Sequence, residues 1–253
     1  MTAATTVDPS GTLAPPRRAS VLADPRLWGL LAAFLAVHAA MIALLPDTAK
    51  KMLVGDRAGD RFRALTEILS ADGIDGALRV IFKTGSVGDY ILFLPAWALG
   101  GHWAVIAQSL VLYTAAVVAL YSLVTRLVSR DGALIATALW IALPSTLFHP
   151  QALVTEAICN PVLILLVRAL VGAFDAPRPA PWRLLLIGLL TAILAFVRHI
   201  YLLVPFAVLL WLVVFRPNGI ALTRRTAIGY VALALSLLLV WWGASVAGGM
   251  RYE

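Results

Sequence analysis

The stretch LLLIGLLTAILAFVRHIYLLVPFAVLLWLVVF, from Leu184 to Phe215, decides the fold. At 1.5 Å per residue its roughly thirty residues are too many for one crossing of a hydrocarbon layer about 30 Å thick, and just enough for two short ones. Arg198 and His199 stand at its midpoint, so the sequence predicts a helical hairpin that turns there.

The same reading repeats outward from this stretch. Leu27 to Leu45, Trp103 to Val124, Ala133 to Phe148 and Glu156 to Ala173 each read as one span, and Ala227 to Val246 as the last. The expected fold is an all-α polytopic membrane protein with about seven transmembrane helices. With 61 % hydrophobic and 13 % charged residues and a mean hydropathy of +0.91, the chain leaves no room for a folded soluble domain. The lone Cys159, beside Asn160 and Pro161 in an apolar run, excludes an internal disulfide and a thiolate metal cluster.

Residues 1–26, rich in Ala, Thr and Pro, read as a disordered cytoplasmic N terminus, and 27–253 as the membrane module. The first apolar run is too long for a signal peptide and lacks a small-residue cleavage site, so it is expected to be retained. The formal charge of +7 lies mostly in short segments between spans. Placing the N terminus in the cytoplasm puts Arg17, Arg18, Arg26, Arg126, Arg130, Arg178, Arg183, Arg216, Arg224 and Arg225 inside. The short outer turns then hold only Arg198, with Arg251 near the extracytoplasmic end. That asymmetry is the orientation signal of an integral protein such as one of a bacterial inner membrane, and nucleic acid is not an expected partner.

Basic residues also occur in the long first extracytoplasmic loop, 46–102, so their presence there needs another reason. Pro46 to Asp89 carries Asp56, Asp60, Glu67, Asp72, Asp75 and Asp89 beside Lys50, Lys51, Arg57, Arg61, Arg63, Arg79 and Lys83. Connections of that length are uncommon without a function. Within the loop, Phe62, Leu65, Ile68 and Leu69 give one apolar face to a helix over Arg61 to Ser70. Tyr90 to Leu99, with Pro95 and Trp97, is too short to span and reads as an interfacial segment, followed by Gly100, Gly101 and His102.

Four polar features converge on the outer face: the carboxylates near Asp56 and Asp60, the turn from His149 to Glu156, the Arg198/His199 hairpin, and the Tyr90 segment. An ionisable group at membrane depth costs about 2.5–3.5 kcal/mol on insertion scales, so Glu156 and Arg198 need partners or water, unless each marks a span end at the headgroups. Asp56 reads either as a general base toward an acceptor hydroxyl or as a plain loop carboxylate, and Asp60 either as that base or as a helix cap. Asp56 and Glu156 are hard oxygen donors suited to Mg²⁺ or Mn²⁺. Arg198 offers a planar fork to phosphate oxygens, with His199 and His149 as assistants or as ordinary hydrogen-bonded histidines.

This layout resembles the GT-C glycosyltransferases, among them the aminoarabinose transferases and protein O-mannosyltransferases. Gly55-Asp56-Arg57-Ala58-Gly59-Asp60 looks like their loop motif, in which an Asp is followed by a Tyr and then an amphipathic helix; here Asp60 stands where the Tyr would be. Tyr90 to Leu99 looks like their short proline-led helix without its leading prolines. Leu153 to Leu166, with Glu156, and Val197-Arg198 are similar to their acidic span opening and basic turn. The resemblance implies sugar transfer from a polyprenyl-phosphate donor to a hydroxyl acceptor with inversion, Asp56 or Asp60 acting as base and Arg198 with His199 meeting the donor phosphate. Glu156, His149 and Tyr90 would line the site. Many relatives continue with further spans and a soluble domain, so the resemblance also leaves open a partner chain. The competing expectations are a non-catalytic membrane subunit or lipid-binding scaffold, and a transporter or flippase.

Overall fold

The computed structural model describes residues 20–44, 87–152, 154–174, 181–215 and 228–233, with positions 67, 70, 71, 73, 76, 235, 236, 239 and 243. Among the described residues the chain is helical with no strand. The main helices are α1 (Pro25–Leu44), α2 (Val87–Leu127), α3 (Arg130–Ala142), α4 (Pro144–Phe148), α5 (Glu156–Phe174), α6 (Pro181–Val197) and α7 (Val204–Phe215). Among the described residues, three helices are long and apolar enough to cross a membrane: Pro25–Leu44, Ile91–Leu127 and Glu156–Ala173. A fourth crossing results if Arg130–Ala142 and Pro144–Gln151, bent by 65°, count as one.

Each interruption has a local cause. At Gly100 and Gly101 the helical dihedrals fail, and Gly101 adopts φ 58°, ψ −148°, a region open almost only to glycine. The consequence is visible in the Gln108 side-chain amide, which donates to the Leu92 carbonyl at 3.1 Å. In a straight helix those residues would be about 24 Å apart along the axis, so α2 folds back on itself at the glycine pair. Residues 87–99 therefore form a short arm beside the long rod that follows. No neighbour lies within 4 Å of a Cβ built on Gly101, so an alanine there would meet backbone strain and not a clash.

At Leu143 the backbone is extended (φ −62°, ψ 136°), as expected for the residue before a proline, and Pro144 opens the next helix at its first position. The expected third span, Ala133 to Phe148, is thus bent instead of straight. Ser129 caps α3, its hydroxyl accepting from the Gly132 N–H at 3.0 Å. The Leu184–Phe215 run does turn at its midpoint: α6 ends at Val197, a 3-10 turn runs over His199–Tyr201, and α7 begins at Val204.

Two packed clusters hold the helices. Leu27, Leu31 and Phe34 of α1 recur at helical spacing and meet Tyr113, Val117 and Tyr121 of α2 with Ala133 and Ile141 of α3. In the other, Leu184, Ile187, Leu190 and Leu194 of α6 pack on Ile158, Val162 and Leu166 of α5 and on Phe93 of the α2 arm. Lipid offers helices no hydrophobic incentive to associate, so close packing and interhelical hydrogen bonds carry this contact. Gly188 admits the Tyr230 ring, to within 3.2 Å of where a Cβ would stand. The Tyr230 hydroxyl donates to the Pro205 carbonyl at 2.9 Å and lies 3.4 Å from the Thr191 hydroxyl, tying α6, α7 and the following segment together.

Candidate functional site

Glu156 and Arg198 form a direct ion pair. Glu156 is the first residue of α5, and Arg198 immediately follows α6. The Arg198 N–H donates to the Leu194 carbonyl at 3.1 Å, and its own carbonyl accepts from Tyr201 at 2.9 Å, which fixes its backbone at the turn. The two helices pack together and are joined by a short connection, so the start of one lies beside the end of the other. A carboxylate at a helix N-terminus and a guanidinium at a helix C-terminus each complement the local helix dipole as well as one another. The Thr155 hydroxyl donates to the second Glu156 oxygen at 3.0 Å.

Further polar groups surround the pair. Tyr113, fully buried and stacked on Trp140 with ring centroids 5.7 Å apart, places its hydroxyl 3.4 Å from the Glu156 carbonyl. Asn160, one turn beyond Glu156, donates from its side-chain amide to Nδ1 of His149 at 3.1 Å, which puts the proton of the neutral ring on Nε2. Gln151, 5 % exposed, reaches from the same turn to the Met41 sulfur of α1 at 3.5 Å. Also on α1, His38 is fully buried, its Nδ1 2.8 Å from the Phe34 carbonyl. Tyr113, Asn160, Gln151 and His38 did not stand out in the sequence, where single polar residues in apolar helices show no spacing that assigns them to one site.

Rise per residue sets the height of the pair. Tyr121 meets Asp24 at the foot of α1, and Tyr113, eight residues earlier on α2, reaches Glu156, which gives a separation of about 12 Å. Along α5, twelve residues separate Glu156 from Arg168, whose guanidinium bonds the Ser122 hydroxyl at 3.0 Å, which gives about 18 Å. Over its twenty residues α1 climbs about 30 Å from the same foot. The Glu156–Arg198 pair therefore lies within the height of α1, well short of its far end.

Of the residues singled out in the sequence, the structure brings Glu156 and Arg198 into contact and sets His149 one helical turn away through Asn160. His199 opens the 3-10 turn and Tyr90 lies in the α2 arm, both described in backbone alone. Asp56 and Asp60 fall outside the described residues, as does most of the Arg61 to Ser70 segment. Among the described residues no three His, Cys, Asp or Glu side chains gather to hold a metal ion. Glu156 gives one oxygen to Arg198 and the other to the Thr155 hydroxyl, and Asp56, its expected partner for Mg²⁺ or Mn²⁺, lies outside the described residues.

A second polar cluster lies at the opposite end, within the segment read as a disordered N terminus. Val21–Ala23 form a 3-10 turn, and Asp24 is only 8 % exposed. Its carboxylate accepts from the Arg26 backbone N–H at 3.1 Å and the Tyr121 hydroxyl at 2.9 Å, with Arg130 at 3.8 Å. The Arg26 amide and the Tyr121 hydroxyl, then the Arg130 and Arg26 charges, hold this carboxyl below the usual carboxylate range against the opposing effect of burial. Arg26 also pairs with the exposed Asp131.

Helices of this length and apolarity, with buried polar pairs between them, define the class: an all-helical protein built to sit in a membrane. No family model, curated protein or solved structure matches the chain.

Proposed function

We propose that this chain is a membrane glycosyltransferase that moves a sugar from a polyprenyl-phosphate donor to a hydroxyl acceptor on the extracytoplasmic face. In this reading the Leu184–Phe215 hairpin and the 228–243 segment also cross the membrane, for seven spans with the N terminus cytoplasmic. The observation that carries it is Arg198. A guanidinium at the tip of an apolar hairpin, 44 % exposed and held by a single carboxylate, supports a role in receiving a lipid-borne phosphate. In sequence, the loop that bears Asp56 and Asp60 connects the far end of α1 to the α2 arm.

The chemistry balances with protein groups alone. An Asp56 or Asp60 carboxylate accepts the acceptor's hydroxyl proton as the oxygen attacks the anomeric carbon from the side opposite the phosphate. The bond from that carbon to the phosphate oxygen breaks, and its electron pair leaves on the polyprenyl phosphate, whose growing charge Arg198 stabilises. Configuration at the anomeric carbon inverts. His149 and Glu156 orient the donor.

A second reading, a lipid-binding subunit or flippase without chemistry, is favoured by the direct Glu156–Arg198 contact, which already neutralises the arginine, and by the depth of the pair. The test is transfer from a panel of polyprenyl-phosphate sugars by the full chain in lipid nanodiscs. Loss of about 10²–10⁴ in turnover in either Asp56→Asn or Asp60→Asn is expected, and identifies the base. Donor binding without turnover by the wild type selects the second reading, and no donor binding at all rejects both.

A further inference from the structure

Around Arg168 the structure has a cleft of about 340 Å³ between α2, α5 and α6, at the end opposite the Glu156–Arg198 pair. Three arginines line it: Arg126 from the end of α2, Arg168 from α5 and Arg183 from the first turn of α6. Among the described residues that line it there is no carboxylate. Arg168 and Arg183 both donate to neutral groups. Arg168 Nε donates to the Ser122 hydroxyl at 3.0 Å, and Arg183 Nη1 to the Gly172 carbonyl at 2.9 Å. The Arg183 guanidinium also lies 5.6 Å from the centre of the Trp182 ring. Asp175 and Arg178, in the linker between α5 and α6, lie outside the described residues and carry opposite formal charges.

The rest of the lining is apolar and runs inward. Leu165 lies one turn deeper than Arg168, and Leu186 and Leu190 lie one and two turns deeper than Arg183, so the wall extends about 10 Å into the layer below the arginines. Leu186 is also 37 % exposed on the flank of the bundle. The site thus has a polycationic rim and an apolar wall beneath it. A free phosphate would meet the rim and leave the wall empty, whereas an anionic lipid fits both.

We propose that this cleft is a binding site for an anionic phospholipid, its headgroup phosphate held by Arg126, Arg168 and Arg183 and the first methylenes of its chain lying on Leu165, Leu186 and Leu190. Basic pockets between membrane helices suit this ligand because headgroup charge and chain are recognised together. Gly172 keeps the site open: a Cβ there would stand 2.9 Å from Arg168 Nη1. The site is independent of the sugar-transfer reading, since it shares no residue with it.

The experiment is native mass spectrometry and lipid titration of the full chain in neutral detergent with dioleoyl phosphatidylglycerol, dioleoyl phosphatidylcholine and inorganic phosphate. Phosphatidylglycerol is expected to bind in preference to phosphatidylcholine and to survive excess inorganic phosphate. Arg168→Gln/Arg183→Gln is expected to weaken phosphatidylglycerol roughly thirtyfold, while Arg130→Gln, a neighbouring charge outside the cleft, leaves it unchanged. Gly172→Leu, which fills the cleft and keeps every arginine, is expected to weaken it as well and guards against misfolding of the double variant. Equal binding of the two lipids, full phosphatidylglycerol affinity in both the double variant and Gly172→Leu, or displacement of the lipid by inorganic phosphate would each overturn the assignment.

Discussion

Asp24 and Glu156 are both carboxylates at the start of a helix, and both answer to arginine, yet they are built for different ends. Asp24 is nearly sealed, with a backbone amide, a buried tyrosine hydroxyl and a nearby guanidinium around it. It locks the foot of α1 to α2 and α3, and little of it is left for a ligand. Glu156 and Arg198 stay 31 % and 44 % exposed, and each has one principal side-chain partner on the opposite helix. A polar cluster enclosed by the protein reads as structure; one that stays half open leaves hydrogen-bonding capacity for a ligand, as the proposed donor site requires.

The largest effect that would sharpen this contrast is on ligand affinity. Arg198→Gln is expected to weaken polyprenyl-phosphate donor binding about tenfold to a hundredfold, by loss of charged hydrogen bonds. Any accompanying loss of stability should stay within the roughly 2.5–3.5 kcal/mol that an unpaired ionisable group costs at membrane depth. A large melting shift with intact donor binding would reverse the roles assigned to the two clusters. Tyr121→Phe should do the opposite, costing about 2 kcal/mol of stability through the lost bond to a charged carboxylate while leaving donor affinity intact.

Acid provides a finer probe. Since the Asp24 carboxyl is held below its unfolded value, its contribution is fully present above the unfolded pKa of about 3.9 and is lost as pH falls through the lower folded value. Melts followed from neutral pH into that range should therefore show a stability difference between wild type and Asp24→Asn that shrinks with acid. A constant difference would remove Asp24 from the structural role. The smallest effect belongs to Arg26→Gln, where the partner Asp131 is 81 % exposed and no measurable change in melting is expected.

Much of the frame was legible in the chain because it rests on local rules. Apolar run length placed α1 and α5 within a residue or two of their ends, and the charged midpoint of the Leu184–Phe215 run marked the turn at Arg198. The bend at Pro144 was missed because the apolar count carried on across it, although the proline and its extended predecessor hold the signal. The site was less legible. That Glu156 and Arg198 needed partners followed from the cost of burying charge, but that they are each other's partner depends on α5 and α6 packing side by side. Asn160, Gln151 and the Asp24 cluster depend likewise on contacts between helices far apart in sequence.

The Glu156–Arg198 pair also has a consequence for biosynthesis. Its two members are separated by 42 residues, so the acidic one is made first and waits for the basic one. At ordinary elongation speeds of about 5–20 residues per second, that wait is roughly 2–8 s. During it, the Glu156 carboxylate has the Thr155 hydroxyl but not yet its arginine, and the interval closes only when the hairpin tip has been made. The pair is thus a late latch on assembly. Truncating the nascent chain before Arg198 is expected to leave α5 inserted but insecure, which could be read as increased protease sensitivity of the segment around Thr155 relative to a chain that extends past Tyr201.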